Sequence, residues 1–325
     1  MEPVRTLFIT HAAAFGGAER SLLEILERLD PARVSPLLCS LAPGPLVDAA
    51  RNAGIDTHVL PAPGAVLGAT RGDLRLSPAR ALKNLQRVLA AQPIVRDIAH
   101  LAASRRIRLM FTNSAKAHIL GGLAGRSARL PVVWHVRDYY AAKPARAFIT
   151  LAARALARTV ICNSHFTAEP FRSHPDCRVV CNGLDPETVR ATSEPDALRQ
   201  ELGVPGDAPV VGTAGRLDPL KDIPTLIRAA ARTAADFPQA RFLVTGDTMY
   251  YRASYLDDLQ AQAHKAGISD HVLFTGYRDD VFDIISLLDI YVQASREPES
   301  FGRSILEAML LEKPVVATKH GGPME

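Results

Sequence analysis

The chain has 325 residues and a mass of 35.1 kDa, more than one hydrophobic core usually organises, so two domains are expected. Its 47% hydrophobic and 22% charged residues argue against a disordered chain, and no apolar run reaches the roughly 18 residues of a membrane span. The net charge of +4 hides an asymmetry: residues 1–182 carry 24 Lys and Arg against 12 Asp and Glu, the remainder 14 against 22. A basic first half calls for an anionic partner. Few aromatics interleave with its cations and no nucleic-acid motif is present, so an anionic membrane surface or polyanion is expected, not nucleic acid. Cys39, Cys162, Cys177 and Cys181 are too few for a disulfide scaffold and lack zinc-ligand spacing. Met1–Thr10 runs directly into a strand pattern with no signal peptide, so a cytoplasmic location is expected.

Apolar strands alternate with helical stretches, the pattern of an α/β chain with parallel sheets. In chain order the reading is strand Thr6–Thr10, a Gly turn, helix Ala18–Leu29, strand Ser35–Leu41, helix Pro45–Ala53 and strand Thr57–Leu60. Pro61–Ser77, rich in Gly, Pro and Ala, reads as a long loop. Pro78–Arg105 reads as a helix carrying Arg80, Lys83, Arg87 and Arg96, the expected seat for anionic lipid. Strands follow at Leu109–Thr112, Pro131–His135, Thr159–Cys162 and Arg178–Cys181. Polar, proline-punctuated sequence then marks a linker at 186–206, which sets one doubly wound domain at 1–185 and a second at 207–325. That second domain reads as strand Val210–Ala214, helix Ile223–Asp236, strand Arg241–Thr245, helix Tyr255–Ala266 and strand Val272–Thr275. Helix Val281–Leu287, strand Ile290–Gln293, helix Gly302–Leu311 and strand Pro314–Ala317 complete it. Ending at Glu325, it is short of the usual βα units, so a truncated C-terminus is expected.

Four groups of residues carry chemical promise. Phe15-Gly16-Gly17-Ala18 joins a strand to a helix; Gly16 and Gly17 let a ligand approach the backbone beside free N–H groups, although such turns often carry glycine for steric reasons alone. Gly215-Arg216-Leu217 with Lys221 follows the first strand of the second domain, where cations face the ligand crevice of an open sheet. Arg216 can bridge two phosphate oxygens and Lys221 adds a compact charge, against the plainer reading of a solvated loop paired with Asp218 and Asp222. Glu299 precedes Phe301-Gly302, which open a helix, and Glu307 lies on that helix. Carboxylates so placed suit paired sugar and ribose hydroxyls, with Glu297 as an alternative acid. His135 ends an apolar strand and can meet a sugar hydroxyl; His11 is a weaker counterpart. No Asp-x-Asp sits at a strand end, so no metal and no cofactor are expected.

Together these residues resemble glycosyltransferase family 4, retaining enzymes of the GT-B architecture with two Rossmann-like domains facing a cleft. The resemblance rests on Gly16-Gly17-Ala18-Glu19-Arg20, Val160-Ile161-Cys162-Asn163-Ser164 and Val179-Val180-Cys181-Asn182-Gly183-Leu184-Asp185. Gly215-Arg216-Leu217 with Lys221, Glu299-Ser300-Phe301-Gly302, Glu307-Ala308-Met309, Lys313-Pro314-Val315-Val316-Ala317 and Gly321-Gly322-Pro323-Met324-Glu325 complete it. It implies transfer of a sugar from a UDP- or GDP-linked donor to a hydroxyl of a glycan or lipid-linked acceptor, as in polysaccharide or glycolipid synthesis. By that resemblance Arg216 and Lys221 hold the diphosphate, Glu299 the sugar and Glu307 the ribose. Gly215, Phe301 and Gly302 line the donor site, His135 meets the donor sugar, and Gly16 and Gly17 line the acceptor and phosphate side. Asp222, Glu312 and Thr248 stand where the family often has Gly. The competing readings are a sugar-nucleotide epimerase of similar fold and a non-catalytic nucleotide-binding fragment.

Overall fold

The computed structural model describes residues 2–11, 16–67, 78–248 and 251–325. Two units emerge, Met1–Asn182 and Gly183–Glu325, each built on its own all-parallel sheet. The expected α/β class with two doubly wound sheets is what the chain adopts.

In the first unit the strands are β1 (Val4–Thr10), β2 (Val34–Ser40), β3 (Asp56–Val59), β4 (Leu109–Thr112), β5 (Val132–Val136), β6 (Thr159–Cys162) and β7 (Cys177–Val179). They lie in the order β3-β2-β1-β4-β5-β6-β7. The helices are α1 (Gly17–Glu27), α2 (Pro45–Asn52), α3 (Gly64–Leu67), α4 (Pro78–Ser104), α5 (Ala115–Ala128), α6 (Lys143–Leu156) and α7 (His165–Ala168). Leu7, Ile9, Met110, Trp134 and Val160 form the buried spine on one face of the sheet, and Phe8, Leu22 and Leu38 pack on the other.

The second unit holds α8 (Pro195–Leu202), β8 (Val210–Ala214), α9 (Ile223–Asp236), β9 (Arg241–Thr245), α10 (Tyr255–Lys265), β10 (Val272–Gly276), α11 (Val281–Leu287), β11 (Ile290–Gln293), α12 (Arg303–Leu310) and β12 (Val315–Ala317). Its order is β10-β9-β8-β11-β12. Strand order reverses between β1 and β4 in one sheet and between β8 and β11 in the other, the places where open parallel sheets leave a crevice beyond the strand ends.

Several elements differ from the sequence reading. The stretch 115–128 is helical although Gly121, Gly122 and Gly125 weaken its intrinsic propensity. A Cβ at those three positions would come within 2.7 Å of Thr112, 2.8 Å of Leu156 and 2.2 Å of Val132, so the missing side chains let α5 lie close to the sheet and to α6. Within the expected linker, α8 buries Leu198 in the second unit's core beside Ile284 and Ile285. Asp283 fastens the preceding residues: its carboxylate accepts from the Ser193 backbone N–H (3.0 Å), from Thr192 and Ser193 hydroxyls (3.2 and 3.1 Å) and from the Thr192 N–H. Burial pushes Asp283 up, but these donors outweigh it and hold the carboxyl below the ordinary range. The expected loop contains the short α3, and its residues 68–77 lie outside the described residues. So do Phe15 and the side chains of Arg80, Lys83 and Arg87.

Two of the sequence's departures from its resembled family have a backbone meaning. Asp222 (φ 47°) and Glu312 (φ 60°) occupy left-handed conformations that favour glycine. Asp222 is compensated by accepting from Thr225 Oγ1 at 2.7 Å. Conversely, Gly246 at φ +132° leaves no room for a side chain: a Cβ would sit 1.8 Å from the Gly215 carbonyl oxygen.

The first unit buries imidazoles. His118 lies 2.7 Å through Nδ1 from Thr112 Oγ1, and its ring stacks on Trp134 at 4.8 Å. Burial, then the neighbouring His11, pushes its pKa down to about 3. His11 itself is lowered to about 4, by burial first and Lys116 second.

Gly246→Ala should cost on the order of 2 kcal/mol or more in chemical unfolding of the second unit, and Glu312→Gly should gain up to about 1 kcal/mol. Because His118 charges in the unfolded chain near the ordinary imidazole value of 6.5 but not in the folded one, stability falls as pH drops below that value. In urea unfolding followed by the single tryptophan, Trp134, the share of this loss due to His118 should be on the order of 2 kcal/mol between pH 6.5 and about pH 5, and His118→Gln should reduce the loss by that share while His11 and the other buried imidazole keep theirs.

Candidate active site

The second unit's site is built from the loops that leave β8 and β11. After β8 the chain turns at Gly215 and is held by Leu217 N–H donating to Asp247 O at 2.7 Å. Asp218, nearly buried, then caps a 3-10 turn over Pro219–Lys221 by accepting from the Leu220 and Lys221 N–H groups at 2.9 and 3.3 Å. Arg216 Nη2 lies 3.3 Å from Asp218 Oδ2 with its side chain 48% exposed, so the guanidinium is held at one terminal nitrogen yet open to water. The local pairing with Asp218 read as the plainer alternative is therefore real, and it leaves the guanidinium within reach of an anion.

Lys221 goes elsewhere. Its Nζ bonds Glu299 Oε1 at 2.7 Å across 78 residues of sequence. The same oxygen accepts from Gln293 Nε2 (2.7 Å) and Ser295 Oγ (2.6 Å). Burial alone pushes the Glu299 carboxyl up; the Lys221 charge and these three donors outweigh it and hold the group ionised below its ordinary range. Glu297, the alternative acid, is exposed. The loop around Glu299 is fixed by backbone: Glu299 bridges Gly321, and the Gly322 N–H donates to Glu299 O at 2.8 Å. Side chains at those glycines would collide, with a Cβ 2.4 Å from Glu299 O at Gly321 and 2.4 Å from Ser300 O at Gly322.

Gly302, left-handed at φ 90°, caps the start of α12, and Phe301 precedes it. Glu307, one turn in, accepts from Arg303 Nε at 2.7 Å, with both side chains 12% exposed. Lys221 and Glu299 are thus joined directly, whereas Arg216 pairs with Asp218 and Glu307 with Arg303.

The first unit brings together a different set. Gly16 caps α1 without a side chain and Gly17 begins it. Glu19, on the first turn, is buried; burial raises its pKa, opposed by backbone hydrogen bonds and the Arg137 charge. Arg137 donates from Nε to Asn113 Oδ1 (3.0 Å) and from Nη1 to Asn182 Oδ1 (2.9 Å), while Asn113 Nδ2 reaches Ala18 O at 3.3 Å. Arg137 therefore ties the ends of β4, β5 and β7 to the start of α1. His135 lies inside β5 rather than at its end and is 5% exposed, its ring edge-on to Phe111. Burial, then Arg137 and His118, lowers its pKa well below the ordinary value, so it offers a neutral dipole and not a cation. Its Nδ1 finds no hydrogen-bond partner among the described residues.

Sequence reading missed Gln293, Ser295, Arg303, Asn113 and the tie made by Arg137. Polar residues ending apolar strands, as Gln293 and Asn113 do, were the available signal. Among the described residues no group of three or more His, Cys, Asp or Glu could hold a metal ion, and no helix is long and apolar enough to cross a membrane.

Comparison with known proteins matches this geometry to one group. Residues 195–325 match the family described as "Glycosyl transferases group 1", and residues 15–188, over half the chain, match "Glycosyltransferase Family 4". The lipopolysaccharide core biosynthesis glycosyltransferase LpsE of Rhizobium meliloti is 32% identical over 167 residues, 50% of this chain and 45% of that protein. A D-inositol 3-phosphate glycosyltransferase of Stackebrandtia nassauensis is 36% identical over 162 residues, 47% of this chain and 35% of its own length. The chain therefore spans less than half of these relatives. Among solved structures, Anabaena Alr3699/HepE in complex with UDP and glucose superposes with a TM-score of 0.80 at 28% identity, over 99% of this chain and 82% of that one. With two Rossmann-like parallel sheets of GT-B type and both families' signatures in sequence, the chain belongs to glycosyltransferase family 4.

Proposed function

We propose that this protein is a retaining glycosyltransferase, independent of metal, that moves a sugar from a UDP- or GDP-linked donor to a hydroxyl of a glycan or lipid-linked acceptor. The observation that carries this reading is the Lys221–Glu299 pair at 2.7 Å, a cation and an ionised carboxylate held at the carboxyl edge of a parallel sheet. Such a pair suits a ligand that joins an anion to a polyol: phosphate oxygens draw the ammonium and sugar hydroxyls satisfy the carboxylate. The UDP and UDP-glucose complexes of the Anabaena neighbour support a nucleotide-sugar donor. The two relatives named above differ in what their names say of the acceptor.

In this proposal Arg216 and Lys221 neutralise the diphosphate as it leaves, and Gly215 lets the phosphates approach the backbone. Glu299 holds sugar hydroxyls, Glu307 the ribose, and Phe301 and Gly302 shape the α12 start between them. His135 offers its neutral imidazole to the donor sugar, and Gly16 and Gly17 line the acceptor side. The C1–O bond to the diphosphate breaks, the acceptor oxygen bonds C1 on the same face, and its proton passes to a departing phosphate oxygen. That route asks the protein for orientation and for stabilisation of leaving-group charge, not for an activated nucleophile. Peripheral attachment to an anionic membrane from the cytoplasmic side belongs to the proposal, supported by the 24 cations against 12 acids of residues 1–182.

A thermal-shift panel of UDP and GDP sugars tests the donor: a specific donor at about 100 times its Kd should stabilise the fold by about 2.7 kcal/mol. Arg216→Ala and Lys221→Ala should each weaken binding about tenfold or more, the loss of one charge-assisted contact. Glu299→Gln should keep nucleoside-diphosphate binding and lose transfer, and NMR of the product should show the donor's anomeric configuration. Equal shifts from the wild type and an Arg216→Ala, Lys221→Ala double variant would sink the reading.

A further inference from the structure

The geometry points to Gln293 as a positioning residue that holds Glu299 in place for the donor sugar, a role that rests on the reading of Glu299 given above. Along β11 every second side chain enters the interior, so Tyr291 and Gln293 share one face, 0% and 2% exposed. A buried amide is costly unless all its groups are satisfied, and here they are. Gln293 Nε2 donates to Glu299 Oε1 at 2.7 Å and to Ser295 Oγ at 2.9 Å. Gln293 Oε1 lies 3.1 Å from the Tyr291 hydroxyl and 3.3 Å from Ser304 Oγ. Turned over, the amide would aim its oxygen at a carboxylate, so this network allows one orientation.

The consequence is directional. Lys221, Gln293 and Ser295 all address Oε1 of Glu299, which among the described residues leaves Oε2 for a ligand hydroxyl. When a diphosphate draws Lys221 away, Glu299 loses its counter-charge while remaining largely buried. Gln293 and Ser295 are then the neutral donors that keep the carboxylate ionised and aimed. The Tyr291 hydroxyl lies 3.1 Å from both Gln293 Oε1 and Ala214 O, just before Gly215, and its single proton serves one of these acceptors at a time, with Ser304 Oγ as the other donor to Gln293.

Calorimetry on the full chain separates this from a packing role. The probe is UDP-glucose against UDP, or the best GDP sugar against GDP if the panel ranks it higher. Gln293→Leu should bind the nucleotide sugar about tenfold more weakly while nucleoside-diphosphate affinity stays within about twofold, which also shows that the variant is folded. Gln293→Glu supplies a second signature: with one proton shared between the two acids it mimics the amide, so nucleotide-sugar binding should fade as pH rises through the neutral range, a dependence the wild type lacks. Gln293→Leu with the wild-type ratio of affinities, or Gln293→Glu with the wild-type pH profile, overturns the inference. If Glu299→Gln itself keeps the preference for the sugar, the role of Glu299 is wrong and the inference falls with it. If Glu299→Gln loses the preference and Gln293→Leu keeps it, the inference alone falls.

Discussion

A carboxylate removed from water must be given compensating charge and donors, and the second unit is arranged around that requirement at Glu299. One cation and two neutral donors meet a single oxygen within 2.6–2.7 Å, and they come from three places: the turn after β8, the end of β11 and the loop beyond it. Each of those segments is fixed in turn by backbone. Asp218 caps the turn carrying Lys221, and Gly321 and Gly322 lie against the strand of backbone from Glu299 to Phe301. Neither end of the ion pair lies in an α-helix or a strand, so the capped turn and the glycine-lined loop supply the rigidity that regular structure does not.

The first unit solves the burial of titratable groups in the opposite way, by discharging them. His11, His118 and His135 are neutral because burial and neighbouring positive groups disfavour the imidazolium, with Asp138 opposing only at His11, and His118 stacks on Trp134 as an aromatic plate would. Positive charge near this cluster comes from Lys116 beside His11 and from Arg137 beside His135, whose guanidinium ties Asn113 to Asn182. A unit with 24 cations overall thus keeps an uncharged imidazole at the place from which a sugar contact is proposed.

Both units use small residues for close approach rather than for looseness. Gly246 yields to the Gly215 carbonyl, and the α5 glycines yield to Thr112, Leu156 and Val132. Where the chain carries Asp222 and Glu312 in left-handed conformations instead, it accepts backbone strain, offset at Asp222 by the Thr225 hydroxyl.

Much of this was legible in sequence, for a physical reason: strands of a parallel sheet buried on both faces are continuous apolar runs, and the turns at their ends need Gly, Pro or Asp. Hence the strands from Thr6–Thr10 to Pro314–Ala317 fall within two residues of their expected places, and Arg216, Lys221, Glu299 and Glu307 could be singled out by residue type. Helix α5 was not legible, because its glycines argue against a helix until the wall it packs on is known. Nor was α8, whose single buried apolar contact, Leu198, gives too faint a period. What tertiary structure alone decided is partnership. Lys221 meets Glu299 across 78 residues, Glu307 turns instead to Arg303, and Gln293 becomes a donor to a carboxylate, since interior electrostatics depend on distances that no local pattern encodes.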